Sequence, residues 1–269
     1  MPIRIGHSDD PDDAFMVWAL ATGAVDTDGF ELEFVPADIQ TLNEWALEGR
    51  LEVTALSLAA YPRVHERYAL LPHGASIGAG YGPIVVTREP RSLDQLRELE
   101  IVIPGTLTTA YLTLRLALGD DLRVRELPFD HILEEVTSGR AAAGLLIHEG
   151  QLTYADAGLV KALDLGEWWL GETGLPLPLG VTVVRRDVER IDELSAVLGA
   201  SIAAGLRHRQ EALAYAQGFA RGLDDDTADR FVGMYVNDMT LDYGELGKRA
   251  VAELLRRADA NVPLDFVNS

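Results

Sequence analysis

The sequence predicts an α/β fold of two lobes that enclose a central cleft. Strand and helix patterns alternate with short connections, and two stretches rich in proline and glycine, residues 78–83 and 174–180, interrupt this alternation. Hydrophobic residues make up 48% of the 269 residues, which is enough for a substantial core. The two breaks predict a small inserted lobe over residues 88–178, with residues 1–87 and 179–269 together forming the large lobe.

Hydrophobic periodicity and turn residues predict the individual elements. Strands are predicted at residues 3–7, 30–35, 53–57, 84–87, 101–103, 143–147 and 181–185. Helices are predicted at residues 13–21, 38–49, 58–68, 108–118 and 131–137, and over nearly all of the chain after residue 191. Because strands and helices alternate, we expect a mainly parallel sheet with right-handed crossovers. Two such lobes, with a ligand held between them at the carboxyl ends of strands, are typical of periplasmic-binding-protein-like folds of type II.

The acidic composition limits the possible partners. The chain has 23 basic and 43 acidic residues, a formal net charge of -20. This charge repels nucleic acids and anionic membrane surfaces, so we expect neither as a partner. A small anionic substrate is still compatible with it, because hydrogen-bond donors within a pocket act locally. We expect a monomer or a homodimer.

Cysteine usage and the N-terminus indicate the compartment. The chain contains no cysteine, which excludes disulfides, thiolate catalysis and cysteine-ligated zinc or iron–sulfur centres. Residues 1–6 lead directly into a strand and lack the basic and apolar regions of a secretion signal. No apolar run is long enough to span a membrane. The sequence therefore predicts a cytoplasmic protein, and we expect no cofactor.

His148 is the candidate catalytic base. It follows an apolar predicted strand, residues 143–147, and so lies just past the carboxyl end, where open α/β sheets bind their ligands. Imidazole titrates near neutral pH and accepts a proton without much adjustment. The alternative is a structural histidine that hydrogen-bonds a carbonyl group of a loop.

Two strand-to-helix junctions are candidate substrate-binding segments. One leads through a Pro-Gly turn into a helix whose first turn carries Thr108 and Thr109. The backbone amides, the helix dipole and the two hydroxyl groups suit a carboxylate or a phosphate. At the other junction, Ser57 offers a further donor. The alternative at both places is that the hydroxyl groups only cap the helix that follows.

The acidic residues 8–13 resemble a cation site, but they lack the glycine and the distant glutamate of an EF-hand loop. A proline near the helix start and carboxylates in its first turn are explained by capping and by the helix dipole. Residues 224–226 have the same interpretation. We therefore expect no metal site in either segment.

At these residues the chain resembles the 1,4-dihydroxy-6-naphthoate synthase family of the futalosine route to menaquinone. The similar stretches extend along nearly the whole chain and are specific in combination: residues 38–50, 56–57, 104–105, 108–111, 144–149, 153–154 and 164–180, and Asn237. The resemblance implies a two-lobed fold and the conversion of cyclic dehypoxanthinylfutalosine into 1,4-dihydroxy-6-naphthoate. This carbon–carbon lyase reaction requires no metal, nicotinamide or flavin.

The resemblance also implies roles for single residues. The proton-abstracting histidine of the family corresponds to His148, and one substrate-binding segment corresponds to Thr108 and Thr109. The other segment corresponds to the residues Ala55, Leu56 and Ser57. We expect Ser57 and Asp38 to orient hydroxyl groups of the substrate.

One segment departs from the family pattern. Many members carry Ser-Pro-Cys-Pro-Asn-Asp-Thr where this chain has Ser-Asp-Asp-Pro-Asp-Asp-Ala, at residues 8–14. The loss of the asparagine and threonine and the added carboxylates are expected to alter contacts with the polyol part of the substrate.

Two other functions stay open on the sequence alone. A chorismate dehydratase-like enzyme of the same pathway binds a carboxylated ring on the same scaffold. A non-catalytic solute-binding protein for a small carboxylate is suggested by the two-lobed plan. The lack of a signal peptide and of a lipid-anchored cysteine argues against this second alternative, which also has no use for His148.

Overall fold

Two β-sheets organise the chain in the computed structural model, which describes residues 2–220 and 223–268. The strands are, in chain order, β1 (Ile3–Ser8), β2 (Leu32–Ala37), β3 (Val53–Ser57), β4 (Tyr68–Leu70), β5 (Ser76–Gly78), β6 (Ile84–Thr87), β7 (Glu100–Ile103), β8 (Arg123–Glu126), β9 (Ala143–Leu146), β10 (Val160–Asp164) and β11 (Leu177–Arg185). The helices are α1 (Pro11–Ala21), α2 (Ile39–Glu48), α3 (Leu93–Arg97), α4 (Thr109–Leu118), α5 (Phe129–Thr137), α6 (Gly150–Thr153), α7 (Leu165–Thr173), α8 (Ile191–Arg207), α9 (Arg209–Ala216), α10 (Asp225–Tyr235), α11 (Asp238–Leu241) and α12 (Gly244–Arg257).

Both sheets are mixed. The first has the strand order β2-β1-β3-β11-β4, with β5 also paired to β11, and the second has the order β10-β6-β9-β7-β8. β1 is parallel to β2 and β3, and β7 is parallel to β8 and β9. The other pairs are antiparallel, because β11 returns to the first sheet against the direction of β3 and because β6 enters the second sheet against β9. The expectation of a mainly parallel sheet was therefore wrong.

The chain passes twice between the two sheets, as the two proline- and glycine-rich breaks predicted. It leaves the first sheet after Gly78 and enters the second at Ile84, then leaves the second after Asp164 and rejoins the first at Leu177. The two-lobed α/β architecture is confirmed. The finer lobe boundaries, residues 87/88 and 178/179, stay a prediction; β6 belongs to the second sheet.

The predicted helix at residues 58–68 was wrong. The chain instead forms a 3₁₀-helix, Leu58–Arg63, followed by β4. Pro62 lies inside this short helix and has no N–H group to donate, which prevents regular α-helical bonding there. The following residues pair with β11, so a partner more than 100 residues away decides their structure.

Residues 177–180, which we assigned to a break, are the first part of β11. Their pairing with β5 shifts register between Pro178 and Gly180. A proline cannot donate to a strand ladder, and such irregularities are where sheets accommodate it. The proline and glycine residues at this position therefore indicated a break in the sequence where the structure has a strand.

The cores of the lobes hold the ends of four strands in place. Buried apolar side chains of β3, β4, β11 and α12 form a cluster on the first sheet, and those of β6, β7, β9 and α4 form one on the second. α1 packs against α8, α9 and α10. Because β1 is parallel to β3, and β7 to β9, the carboxyl ends within each pair lie side by side. No helix in the described ranges has the length and apolar content needed to cross a bilayer.

Candidate active site

A cavity lies where the carboxyl ends of β1, β3, β7 and β9 face one another between the lobes. It is lined by every predicted site residue except Asp38, that is by Ala55, Leu56, Ser57, Thr108, Thr109 and His148. Asp38 is the N-cap of α2, and its carboxylate accepts the backbone N–H of Thr41 at 3.0 Å. The cavity therefore brings together two candidate binding segments and the candidate base.

His148 is held at the edge of this cavity with one ring nitrogen bonded and the other unpartnered. Its backbone φ is 50°, in the left-handed region that residues other than glycine seldom adopt. Nδ1 lies 2.6 Å from Oδ2 of Asp10, and Nε2 is buried without a hydrogen-bond partner. The ring also packs edge-on against Phe129, at 4.7 Å between centroids. The alternative of a histidine bonded to a loop carbonyl group is therefore wrong.

Asp10 is the partner of His148, and this pairing was not predicted from the sequence. It is 1% exposed and is the N-cap of α1, where its Oδ1 accepts the backbone N–H of Asp13 at 3.2 Å. Burial by itself raises the pKa of Asp10, but the charge and hydrogen bond of His148 hold it below its ordinary value. Burial lowers the pKa of His148, but Asp10 outweighs this effect and raises it above the ordinary value.

Two further carboxyl groups of α1 line the cavity. Asp12 is 5% exposed; its Oδ2 accepts the hydroxyl group of Ser76 at 3.4 Å, and its Oδ1 has no hydrogen-bond partner. Burial and the nearby charge of Asp10 raise the pKa of Asp12 well above its ordinary value, and raise that of Asp13 to about 7. A carboxyl oxygen of Asp12 lies within 4.8 Å of one of Asp10, so the two buried groups do not readily ionise together.

The acidic segment is therefore more than a helix cap. Capping at Asp10 and a proline in the first turn of α1 are confirmed, but three of its carboxyl groups also lie in the cavity. Asp10, Asp12 and His148 each offer a possible metal-ligand atom within 4.8 Å of the others. The hydrogen bond that Asp10 accepts from Nδ1 of His148 accounts for the shortest of these contacts. The signal in the sequence was the departure from the family pattern at residues 8–14.

Thr108 begins α4 and serves as its cap. Its Oγ1 accepts the backbone N–H of Tyr111 at 3.2 Å and donates to the carbonyl oxygen of Gly105 at 2.8 Å. The capping alternative is therefore right for this hydroxyl group. The N–H groups of Thr109 and Ala110 belong to the first turn, so they have no acceptor within the helix, and both residues line the cavity.

Thr109 connects the two lobes. Its Oγ1 donates to the carbonyl oxygen of Leu179 at 2.6 Å and accepts the backbone N–H of Ala59 at 3.1 Å. Both partners belong to the first lobe, whereas Thr109 begins a helix of the second. The hydroxyl groups of Thr108 and Thr109 are thus both used within the protein, and an anion at this position would meet backbone amides instead.

Ser57 does not cap the helix after it, and its hydroxyl group can donate to a ligand. Its Oγ accepts the amide of Asn43 at 3.0 Å, which leaves the hydroxyl proton available, and no side-chain cap bond forms. The Asn43 carbonyl oxygen also accepts the backbone N–H of Ser57 at 2.8 Å, and its amide reaches the carbonyl oxygen of Leu107 at 3.4 Å. The buried Asn43, which was not predicted as a site residue, thus fixes one binding segment and contacts the other lobe.

The chain is similar to proteins of menaquinone biosynthesis along nearly its whole length. The model of a family described as menaquinone biosynthesis matches residues 3–260. A 1,4-dihydroxy-6-naphthoate synthase from Thermus thermophilus is 45% identical over 260 residues, which are 96% of this chain and 94% of the relative. One from Streptomyces coelicolor is 37% identical over 265 residues, which are 96% of this chain and 93% of the relative.

Solved structures share the fold of this chain. A protein of Archaeoglobus fulgidus is 44% identical and superimposes with a TM-score of 0.91 over 96% of this chain and 97% of that one. A Candida albicans protein with the generic periplasmic binding protein fold is 11% identical and has a TM-score of 0.69, covering 100% of this chain and 98% of that one. This second likeness concerns the fold alone, and it confirms the predicted periplasmic-binding-protein-like architecture. By the family match and by the identity to its relatives, the chain belongs to the menaquinone biosynthesis family.

Proposed function

We propose that the protein is a 1,4-dihydroxy-6-naphthoate synthase, a lyase that converts cyclic dehypoxanthinylfutalosine into 1,4-dihydroxy-6-naphthoate. Two relatives that match almost the whole chain have this name. The observation that supports it most directly is His148, whose Nε2 has no partner at the edge of the cavity between the lobes. A cytoplasmic location and a monomeric or homodimeric state stay predictions.

The first turn of α4 is the proposed seat of the substrate carboxylate. The N–H groups of Thr109 and Ala110 are free of intrahelical bonds, and the helix dipole adds a partial positive charge at this end. The acidic residues of α1 belong to the other lobe, and the raised pKa values of Asp12 and Asp13 favour their neutral forms, which repel a carboxylate less. This position reconciles an anionic substrate with a cavity that also contains carboxyl groups.

His148 is the proposed base. In its neutral form it takes a proton from a hydroxyl group of the sugar-derived ring through Nε2. The adjoining carbon–carbon bond then breaks in a retro-aldol sense, and its electron pair passes to the neighbouring carbonyl system. Aromatisation of the product makes the step strongly downhill. Because Asp10 raises the pKa of His148, the active neutral form accumulates as the pH rises through that value.

Ser57 is the proposed partner of a substrate hydroxyl group, since its own proton is free to be donated. Asp38 was expected to help, but its carboxylate caps α2, so any effect of Asp38 on the substrate would pass through the position of that helix. Contacts such as those of Thr109 with Leu179 and Ala59 hold the lobes together around the cavity. A closed cleft excludes water from the cleavage step.

The test is to incubate the purified protein separately with cyclic dehypoxanthinylfutalosine and with chorismate, and to follow both reactions by mass spectrometry. We expect 1,4-dihydroxy-6-naphthoate from the first substrate and no dehydration of the second. Dehydration of chorismate alone would favour the dehydratase alternative. Tight binding of a carboxylate without turnover of either compound would favour the solute-binding alternative, which the names of the relatives do not support.

A further inference from the structure

Asp10 and His148 are brought into contact by two different lobes. Asp10 follows β1 and caps α1, whereas His148 follows β9 of the second sheet. Their side chains meet at 2.6 Å between Oδ2 and Nδ1, in a position where Asp10 is 1% exposed. A carboxylate in this contact accepts the proton of Nδ1, because a hydrogen bond to an ionised acceptor is the strong kind. When the ring is neutral, the lone pair is then on Nε2.

We propose that Asp10 is a positioning residue that fixes the tautomer of His148, so that Nε2 is the nitrogen that takes the proton of the substrate. This inference rests on the proposed function, because it takes His148 as the base. It goes beyond that function by assigning a role to a residue of the acidic segment in which this chain departs from its family's pattern.

The other groups around the ring are consistent with this role. Asp13 of α1 and the neighbouring Glu149 act on His148 through their charge, whereas Asp10 also bonds to it directly. Phe129 of α5 and Phe231 of α10 contact the ring through their edges and bring no charge. Asp10 is therefore the group whose position can decide the tautomer.

Asp12 supports the ionised form of Asp10. A carboxyl oxygen of each residue lies within 4.8 Å of one of the other, and two buried carboxyl groups this close do not readily ionise together. Asp12 is the carboxyl group that keeps a proton, because Asp10 accepts the hydrogen bond from Nδ1 of His148, which favours its ionised form. A neutral Asp12 places no second negative charge beside Asp10, and Asp10 remains an acceptor for Nδ1.

The proton balance of the reaction is unchanged by this assignment. Nε2 takes the hydroxyl proton of the substrate as the carbon–carbon bond breaks, which makes the ring of His148 an imidazolium ion. The carboxylate of Asp10 stabilises that charge without taking a proton itself. Nε2 then returns the proton to the carbon or oxygen of the cleaved system that received the electron pair, and the neutral ring is restored.

The variant that tests the role is Asp10→Asn. The side-chain oxygen of asparagine also caps a helix, so the start of α1 is kept while the negative charge is removed. We expect kcat to fall by about 10- to 1000-fold, with KM changed by less than about threefold. The acidic limb of the pH profile should move to lower pH, because His148 loses the charge that raises its pKa. The matched control is Asp224→Asn, at the exposed N-cap of α10, which should leave both quantities unchanged.

A second measurement does not depend on turnover. Nitrogen NMR of histidine-labelled protein reports the tautomer of each ring, and the signals of His148 are identified by their loss in His148→Asn. We expect the wild type to show the tautomer protonated on Nδ1 above the pKa of this ring, and Asp10→Asn to lose that preference. If the tautomer is as expected but no naphthoate forms, the proposed function fails while the pairing of Asp10 with His148 stands.

Three results would overturn the inference. One is a kcat and an acidic limb in Asp10→Asn equal to those of the wild type. Another is a wild-type ring protonated on Nε2 when neutral. The last is a loss of turnover after treatment with a chelator that Zn²⁺ or Mn²⁺ restores, because Asp10 and His148 would then act as metal ligands.

Discussion

Asp13 lies in the first turn of α1, where its carboxyl group accepts the backbone N–H of Ser8 at 2.6 Å and where only 7% of the residue is exposed. Burial and the charge of Asp10 raise its pKa to about 7. In the unfolded chain the same group has its ordinary pKa, near 4. The folded state therefore binds this proton more strongly than the unfolded state, and the linked stabilisation is complete below about pH 4 and is lost as the pH rises through about 7.

The raised pKa of Asp13 predicts how Asp13→Asn changes the midpoint temperature of thermal unfolding, Tm. The amide keeps an acceptor for Ser8 and has no proton to lose. We expect the difference in Tm, variant minus wild type, to become more positive between pH 5 and pH 8. Calorimetry at the two pH values measures it, and Asp224→Asn, at an exposed cap, is the control. A difference that is the same at both pH values would show that Asp13 does not titrate in this range.

Single residues of the site were predictable only where local sequence determines their position. His148 could be placed at a ligand-binding strand end because an apolar run leads directly to it. Its partner Asp10 could not, because the contact joins positions 138 residues apart and because helix capping already explained the acidic segment. The hydroxyl groups of Thr108 and Thr109 were correctly placed beside the cavity, but their bonding to carbonyl groups depends on the folded neighbours.

The packing of β9 against α5 determines the position of the carboxyl end of β9, and therefore the position of His148, which follows this strand. Gly144 lies in this strand, and a Cβ atom built on it would meet the side chain of Ile132 at 2.6 Å and that of Val136 at 2.8 Å. Both neighbours are fully buried and belong to α5, so they have little room to move. The absence of a side chain at Gly144 therefore lets strand and helix approach closely.

We expect Gly144→Ala to lower the free energy of unfolding by about 1–3 kcal/mol through overpacking. It should also lower kcat, because a displaced end of β9 moves His148 away from Asp10. Urea denaturation and steady-state kinetics measure the two effects. Gly171→Ala is the matched control: it lies in α7 with nothing within 4 Å of the added atom, and it should be neutral or slightly stabilising. Equal behaviour of the two variants would contradict this account of the packing.

Secondary-structure elements were predicted well where local hydrophobic periodicity is sufficient. They were predicted less well where pairing with a distant strand determines the structure. β3 has the predicted bounds, and the N-cap of α2 at Asp38 is confirmed. β4 was taken for helix because its structure depends on pairing with β11, far along the chain. The first residues of β11 were taken for a break, since their proline and glycine residues are accommodated by a register shift that only the partner strand reveals.

In the molecule as a whole, the two lobes give the two sides of the cleft a different electrostatic character. The second lobe contributes the start of α4 with its free amides, and the first contributes the carboxyl groups of α1. Alternation of strands and helices, with two breaks, was enough to predict two lobes, whereas strand direction was not. The bond from Asn43 to Leu107 and the bonds of Thr109 join the lobes, so the shape of the cleft is set by contacts across it.

The central claim is that this cleft cleaves its substrate by proton transfer to His148. A single-turnover experiment tests it most directly: wild type and His148→Asn, each in excess over cyclic dehypoxanthinylfutalosine, are quenched at intervals and analysed for substrate and naphthoate. We predict complete conversion by the wild type, and a rate lower by about 10²- to 10⁴-fold in a variant that still binds the substrate. Conversion by His148→Asn at the rate of the wild type would contradict the account.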